Sequence, residues 1–358
     1  MFSIRPKDQR DGEKLVKELV ASSIDQAELR DFLPTEPGRG EIRIRSQFGA
    51  LKHGTELAGL TGYAGARGRF DDELQLFVQD ETNNGSETSR PVGNMVVGSV
   101  VGVGEGVRDF KIGETVTAHA PLREEQSVAI GRCWSVPEGV SWQSAVCLDP
   151  AQFALGAIRD GNVRVGDSVA VFGLGAIGLM AVQIARAAGA STAIGVDLAS
   201  NRRDVAISCG ADFVVDPANS DAGLEIKRLT GNRGVDVAIE YSGAAAAMQA
   251  ALRGAAFGGT VVAGAFPPPY GAGLDFGAEA HLNRPNIVFT RAVSDPNRDH
   301  PRWDQRRLFE ECWTLFASGK INGDPVVDPI VPFSEAATAF TSVMTDPSAG
   351  IKLGCVFD

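Results

Sequence analysis

Residues 168–197 read SVAVFGLGAIGLMAVQIARAAGASTAIGVD. The run Ser168–Phe172 is short, apolar and rich in valine, which predicts a buried strand. Apolar residues then recur at helical spacing over 176–188, and a second apolar run covers Thr192–Val196. A strand, a glycine-rich turn, a helix and a second strand in this order predict a βαβ unit of a parallel sheet.

The first strand leads directly into a complete G-x-G-x-x-G motif. Gly173 permits the tight turn, Gly175 lets a pyrophosphate approach the backbone, and Gly178 lets the helix pack closely on the strand. The first turn of the helix offers free N–H groups and the positive end of a dipole to phosphates. The motif therefore predicts a dinucleotide site at Gly173, Gly175, Ala176, Ile177 and Gly178. The alternative is a glycine-rich turn that binds no ligand.

The second strand ends at Asp197, about 20 residues beyond the glycines. A carboxylate at this position accepts hydrogen bonds from the adenosine ribose hydroxyls and repels a 2′-phosphate, so NAD is favoured over NADP. Arg202 and Arg203 follow closely. Their positive charge weakens this preference if it faces the cofactor; otherwise they are solvated charges at the start of the next helix.

The composition limits the class of protein. The chain has 358 residues, enough for two domains, and its 44% hydrophobic and 22% charged residues are typical of a globular protein. A net charge of −11 without a basic cluster argues against nucleic acid and membrane as partners. The N-terminus lacks the apolar core of a signal peptide, and no run is long enough to span a bilayer. Five scattered cysteines are expected to be free thiols in a reducing cytoplasm.

The pattern changes near Asp149-Pro150. Before this point short strands and frequent turns dominate, as in the alternating segment Glu41–Phe48, although the charged residues 10–30 suggest a helix. After it strands alternate with helices, which predicts a doubly wound parallel sheet of the Rossmann type. The expected strands are Ser168–Phe172, Thr192–Val196, Asp212–Val215, Val235–Glu240, Thr260–Ala263 and Ile287–Thr290.

The last segment, from Pro325 onward, is too short to be a domain. It holds a predicted helix over 334–344 and a predicted strand over 352–357. We therefore expect the end of the chain to return to the first half.

Further motifs are spread along the chain. Gly54-Thr55-Glu56, the stretch 93–104, Asp149-Pro150 and the stretch 236–243 (DVAIEYSG) are the most specific. Together with the glycine loop they resemble the medium-chain dehydrogenase/reductase (MDR) superfamily, within it the sorbitol and alcohol dehydrogenase branch. The resemblance covers nearly the whole chain. It implies a mostly β GroES-like catalytic domain formed by residues 1–152 and 296–358, and a Rossmann domain over 153–295.

The chain departs from this family at the metal. In the zinc-dependent members, the catalytic zinc is held by a Cys and a His, with a Glu or a second Cys nearby. The matching positions carry His53, Asn94 and Met95, and Asn and Met are poor zinc ligands. Asp149 and Glu56 remain, but with His53 alone they make a poor site. The four closely spaced cysteines of the family's structural zinc are also absent from the sequence. We therefore expect no metal.

A zinc-free dehydrogenase needs side chains that take the alcohol proton and donate to the carbonyl oxygen. Lys52 and His53 lie where the family places its reacting group. Either can serve, because histidine titrates near neutrality and the pKa of a lysine falls on burial; His53 is the first choice and an ordinary loop histidine the alternative. Thr55 matches the Ser/Thr that relays the proton in zinc enzymes. Asp149 is a further candidate, and His119 a lesser one.

Other residues are cofactor contacts by resemblance. Ser242 ends a strand at the carboxyl edge of the sheet, where the ligand crevice of this fold lies. Gly264 and Ala265 end the next strand, where the family's backbone binds the nicotinamide carboxamide. Lys352 matches a family position near the phosphates; the alternative is a charge on a strand face.

These observations predict a zinc-independent dehydrogenase that transfers a hydride between a secondary alcohol and NAD. A polyol, a sugar or a cyclic alcohol is the expected substrate, and Tyr270 and Trp303 are candidate aromatic walls. A reductase of activated C=C bonds or quinones and a dinucleotide-binding protein without turnover remain as alternatives. The resemblance also implies a homo-oligomer, a dimer or a tetramer, in the cytoplasm.

Overall fold

The computed structural model describes residues 15–63, 65–79, 89–271, 273–294 and 296–358. Within these ranges the half of the chain before the glycine motif is built mostly of strands. They are β1 (Val16–Ser23), β2 (Gln26–Phe32), β3 (Glu41–Ala50), β4 (Arg69–Asp71), β5 (Leu76–Val78), β6 (Arg90–Pro91), β7 (Met95–Val103), β8 (Thr115–His119), β9 (Glu125–Ala129) and β10 (Cys133–Ser135).

The helix expected over residues 10–30 is wrong wherever the structure describes this segment. β1 and β2 form an antiparallel hairpin there, and residues 10–14 lie outside the described ranges. The side chains of β2 alternate between partly buried and exposed along most of the strand, with its charged residues mainly on the exposed face. Their density suggested a helix, but the period of two is that of a strand.

The end of the chain returns to the first half, as predicted. It contributes β17 (Ile330–Pro332) and β18 (Gly354–Val356), and β18 pairs with β3 so that Gly354 lies opposite Ala50. The resulting seven-stranded sheet has the order β10-β8-β7-β3-β18-β17, with β9 also paired to β3. This sheet brings the ends of β3, β7, β8 and β18 together.

The second half contains the predicted parallel sheet. Its strands are β11 (Ser168–Phe172), β12 (Thr192–Val196), β13 (Phe213–Val215), β14 (Val235–Glu240), β15 (Ala255–Ala263) and β16 (Asn286–Phe289). They are ordered β13-β12-β11-β14-β15-β16, the arrangement of a Rossmann fold. Alternate residues of β11 face two different core clusters, so the strand is apolar throughout because both of its faces are buried.

Ten α-helices lie in the described residues. They are α1 (His53–Leu60), α2 (Trp142–Ala145), α3 (Leu148–Asp160), α4 (Ala176–Ala187), α5 (Ser200–Ser208), α6 (Ala222–Leu229), α7 (Ala245–Gly254), α8 (Glu279–Asn283), α9 (Gln305–Ala317) and α10 (Ala336–Thr345). None of the helices in the described ranges has the length and apolar character needed to cross a membrane. All five cysteines are free and buried.

Candidate active site

The glycine loop has the geometry that its motif predicts. Gly173 has φ +85°, and a Cβ there would lie 2.6 Å from the backbone nitrogen of Ser242. A Cβ on Gly178 would lie 1.9 Å from the carbonyl oxygen of Gly173, because α4 packs directly on the turn. A Cβ on Gly175, in contrast, would meet nothing within 4 Å. The loop is thus closed towards the sheet and open at the glycine that should face a pyrophosphate.

Asp197 closes this loop from the end of β12. Its two carboxylate oxygens accept hydrogen bonds from the backbone N–H of Leu174 (2.7 Å) and of Ala199 (2.9 Å). Each oxygen has a second lone pair, so the carboxylate can still accept from ribose hydroxyls. Arg203 supports the same turn by donating to the carbonyl oxygens of Asp197 and Leu198, both at 2.8 Å.

Arg202 reaches towards the catalytic half instead. Its guanidinium donates to the carbonyl oxygen of Gly350 at 3.2 Å, and its positive charge adds to the effect of burial in lowering the pKa of His53. The Arg202 guanidinium therefore lies near His53 and the last segment of the chain.

The remaining backbone positions expected at the cofactor meet at the carboxyl edge of the sheet. Ser242 lies against Gly173 and donates its backbone N–H to Oε1 of Glu240 at 2.7 Å. The N–H groups of Gly264 and Ala265 both donate to the carbonyl oxygen of Glu240, at 3.0 and 3.2 Å. Together with the open space at Gly175 and the start of α4, these residues fit a nicotinamide dinucleotide.

Lys52 and Asp149 form the centre of the catalytic half. Lys52 precedes α1 and Asp149 lies in the first turn of α3, and their Nζ and Oδ2 atoms are 2.7 Å apart. The Lys52 ammonium also lies 3.8 Å from the centroid of the Phe153 ring, one helical turn further along α3. Both side chains are largely withdrawn from water, at 16% and 8% exposure, so this ion pair is held in place by its surroundings.

Lys352 is part of the same cluster. Its ammonium is buried and donates to the carbonyl oxygen of Leu51 at 2.6 Å and to Oδ1 of Asn94 at 3.4 Å. Burial lowers the pKa of Lys352 to about 8. The structure thus brings the Lys352 ammonium next to Leu51 and Asn94, and its predicted role near the phosphates stays a prediction.

His119 lies at the end of β8, beside Asn94. Its Nδ1 is 2.6 Å from Nη2 of Arg132, and its Nε2 is 3.3 Å from Nδ2 of Asn94 and 4.0 Å from Oδ1 of Asp149. Burial lowers the pKa of His119, an effect that the charge of Asp149 opposes and those of Arg132 and Lys52 reinforce, so the ring is neutral at pH 7. The side chain is still 43% exposed.

His53 and Thr55 lie at the start of α1. Nδ1 of His53 is buried without a hydrogen-bond partner among the described residues, and burial lowers the pKa of His53 to about 4. Thr55 is exposed. The Glu56 carboxylate is held by other partners: it accepts hydrogen bonds from the backbone N–H of Gly93 and from the Arg90 guanidinium, both at 3.0 Å.

The donor set does not fit a zinc ion. Among the residues that the structure describes, no three His, Cys, Asp or Glu side chains are grouped so that they could hold a metal. The Lys52 ammonium contacts Asp149, and the Lys352 ammonium contacts Asn94, so positive groups of the protein already face two of the positions that correspond to zinc ligands in the family. A cation bound there would be repelled by both.

Tyr63 and Arg67 contact the loop that contains Phe266. The Tyr63 hydroxyl donates to the carbonyl oxygen of Phe266 at 3.1 Å, and the Arg67 guanidinium lies 4.3 Å from the Phe266 ring centroid. Trp303, a predicted aromatic wall, packs against the guanidinium groups of Arg159 and Arg307, at 3.5 and 4.2 Å.

Sequence reasoning treated Asn94 only as a missing metal ligand and did not single out Arg132. Asn94 lies between Lys352 and His119, a position that no local pattern predicts. Arg132 is an exposed residue of a short 3₁₀ turn just before β10, and only the pairing of β10 with β8 brings it to His119. The single sequence signal was the histidine itself, in a strand of the catalytic half.

Comparisons with known proteins agree with this architecture. A family model described as "Zinc-binding dehydrogenase" matches residues 176–294. The chain is 43% identical over 350 residues to the D-guloside 3-dehydrogenase of Escherichia coli K12, covering 96% of this chain and 100% of that protein. It is 30% identical over 205 residues to the sorbitol dehydrogenase of Bacillus subtilis, covering 47% and 56% of the two chains. The crystal structure of 2R,3R-butanediol dehydrogenase from Bacillus subtilis shares the fold, with a TM-score of 0.75 at 22% identity over 95% of this chain and 99% of that one.

Proposed function

The chain belongs to the medium-chain dehydrogenase/reductase superfamily and is an alcohol or polyol dehydrogenase, and we propose that it oxidises a secondary hydroxyl of a glycoside or sugar with NAD and without zinc. The observation that carries the substrate class is the 43% identity, over nearly the full length of both chains, with a protein named D-guloside 3-dehydrogenase. The relatives of this chain are named dehydrogenases. This argues against both alternative functions, a quinone reductase and a protein without turnover.

We propose that NAD is the cofactor. Its pyrophosphate would lie on the glycine loop and the start of α4, and its adenosine ribose on Asp197, whose charge disfavours the 2′-phosphate of NADP. Arg202 and the backbone at Ser242, Gly264 and Ala265 would line the rest of the site. The bound nicotinamide supplies the acceptor for the hydride that leaves the substrate carbon.

We propose Lys52 as the residue that contacts the reacting oxygen. In the direction of ketone reduction its ammonium donates to the carbonyl oxygen, and in the direction of oxidation the neutral amine takes the hydroxyl proton. Asp149, 2.7 Å away, orients the amine and balances its charge. The exposed Thr55 offers a path for the proton from the cleft to solvent.

His53 remains the rival for this role. It is neutral at pH 7 and therefore able to accept a proton, but a base with a pKa of about 4 gives little driving force for deprotonating an alcohol. The geometry thus favours Lys52, although the sequence alone favoured His53.

Two measurements on the purified protein test the proposal. Elemental analysis should find much less than one zinc per chain, and turnover should survive treatment with a chelator, because the Lys52 and Lys352 ammonium groups oppose a cation. Methyl glycosides of several hexoses, including a guloside, should produce NADH. One zinc per chain, lost together with activity, would refute the metal-free site; turnover of simple polyols alone would refute the glycoside.

We further propose that the protein is a cytoplasmic homo-oligomer, a dimer or a tetramer. β16 is an edge strand that exposes three of its four residues, with Phe289 at 75%, and an exposed apolar edge is usually covered by a partner. The five free cysteines suit a reducing compartment. A monomer in sedimentation velocity would contradict the assembly.

A further inference from the structure

The tautomer of His119 is determined by its neighbour Arg132. A guanidinium has only donors, so the Nδ1 atom that lies 2.6 Å from Nη2 of Arg132 must be an acceptor. A neutral imidazole carries one proton, and burial keeps this ring neutral. The proton of His119 is therefore on Nε2.

The Nε2–H group then faces a neighbour that cannot accept it. The Lys352 ammonium only donates, so the amide oxygen of Asn94 turns towards Lys352 and the amide nitrogen turns towards His119. Two donors thus meet at 3.3 Å. The nearest carboxylate, Oδ1 of Asp149, is 4.0 Å from Nε2, beyond hydrogen-bond distance. Within the described residues, the Nε2–H of His119 has no acceptor at hydrogen-bond distance.

The position of this donor relative to Lys52 gives it a use. His119, at the end of β8, and Lys52, just before α1, both lie beside the Asp149 carboxylate. Nε2 of His119 is 4.0 Å from Oδ1, and Nζ of Lys52 is 2.7 Å from Oδ2. The His119 side chain is 43% exposed, so a ligand can reach it. An oxygen bound beside Asp149 would have a donor from each side.

We propose that His119 is a catalytic residue that donates a hydrogen bond from Nε2–H to the reacting oxygen, and that Arg132 is a positioning residue that holds His119 in this tautomer. The inference rests on the proposed dehydrogenase function. During oxidation the hydroxyl proton passes to the Lys52 amine, the hydride leaves the carbon, and Nε2–H keeps its proton while it stabilises the negative charge that develops on oxygen. Two donors aimed at that charge act together as an oxyanion hole.

Variants of Arg132 separate tautomer control from packing, because this side chain is exposed. Arg132→Lys keeps a donor at Nδ1 and should preserve the tautomer. Arg132→Glu offers an acceptor instead, so the proton should move to Nδ1 and leave the Nε2 lone pair facing the substrate oxygen. We expect kcat to fall about 10²–10³-fold in Arg132→Glu, as for loss of one oxyanion donor, and less than tenfold in Arg132→Lys. KM and NAD affinity should change little in both.

Variants of His119 test the donor itself. Glutamine places an amide N–H close to the position of Nε2, whereas leucine has no polar group. His119→Leu should lose kcat to the same extent as Arg132→Glu, and His119→Gln should recover most of it. If the leucine variant does not fold, the Gln and Arg132 variants still decide the question.

The tautomer can be read directly by ¹⁵N NMR of the histidine-labelled full-length protein. The chain has only four histidines, and the signal lost in His119→Gln assigns this one. We expect an Nε2–H pattern in the wild type and in Arg132→Lys, and an Nδ1–H pattern in Arg132→Glu. An Nδ1–H pattern in the wild type overturns the inference, and so does wild-type kcat in both His119→Leu and Arg132→Glu. Absence of NADH formation by the wild type with every glycoside and sugar tested would instead refute the proposed function.

Discussion

The two halves of the site are built in opposite ways. The cofactor half lies in one continuous stretch, residues 168–197, where a strand, a loop, a helix and a second strand place the glycines and Asp197 together. The catalytic half joins Lys52, Asn94, His119, Asp149 and Lys352, which come from distant parts of the chain and meet only because four strand ends and one helix start converge. A site formed by one continuous stretch can be recognised in the sequence. For a site assembled from distant parts of the chain, the sequence shows only candidate residue types.

The largest effect is expected at the centre of the assembled half. Lys52→Met should lower turnover about 10²–10⁴-fold, the usual contribution of a general acid or base, while calorimetry finds NAD affinity unchanged. His53→Gln is the matched control in the next position. A His53 base, whose pKa burial lowers to about 4, would already be deprotonated above the acidic range and would leave the rate of oxidation flat there. A rate that still rises with pH in the neutral range therefore excludes His53 as the base.

The pH profile can also reverse the assignment of Lys52 as the base. A wild-type rate that is constant above the acidic range, together with a large loss in His53→Gln and none in Lys52→Met, would return the role to His53. Loss of NAD binding in Lys52→Met would show that the two halves are not separable in function.

Substitution of a glycine by alanine in the glycine loop should affect stability or NAD binding, depending on the position. Gly178→Ala puts a Cβ 1.9 Å from a backbone oxygen, so the helix must shift, at a cost of about 1–3 kcal/mol in the free energy of unfolding. Gly175→Ala meets nothing within 4 Å in the protein and should leave the melting temperature nearly unchanged while it weakens NAD binding. Thermal unfolding and calorimetry on both variants measure the contrast. Equal melting temperatures, or wild-type NAD affinity in Gly175→Ala, would contradict this account of the loop.

The smallest effect concerns the choice of cofactor. The wild type should bind NAD more tightly than NADP, and Asp197→Asn should reduce this preference by about fivefold, since charged hydrogen bonds exceed neutral ones by about 1 kcal/mol. Asparagine keeps one acceptor oxygen, which can still hold the backbone N–H of Leu174. Titration calorimetry with both dinucleotides measures the ratio. Equal or tighter binding of NADP by the wild type would remove the case for NAD.

One error shows where sequence reasoning failed. The segment predicted as a helix over 10–30 forms the β1–β2 hairpin where it is described. The prediction gave the charges of the segment more weight than its period of two, so the error was avoidable from the pattern. Lys352 illustrates a different point: its hydrogen bonds to Leu51 and Asn94 depend on the pairing of β18 with β3, which no local pattern predicts.

By itself the sequence determined the βαβ unit, the parallel sheet and the glycine loop, because strand period, helix period and the tolerance of glycine for tight turns act over a few neighbouring residues. Through its resemblance to the family, it also led to the prediction that Asn94 and Met95 stand where zinc-dependent members have ligands. Only the tertiary structure decided that Lys52 faces Asp149, that burial lowers the pKa of His53 and that Arg132 lies beside Nδ1 of His119. Ion pairing, desolvation and tautomer depend on which distant groups lie within a few ångströms, and that is a property of the folded chain.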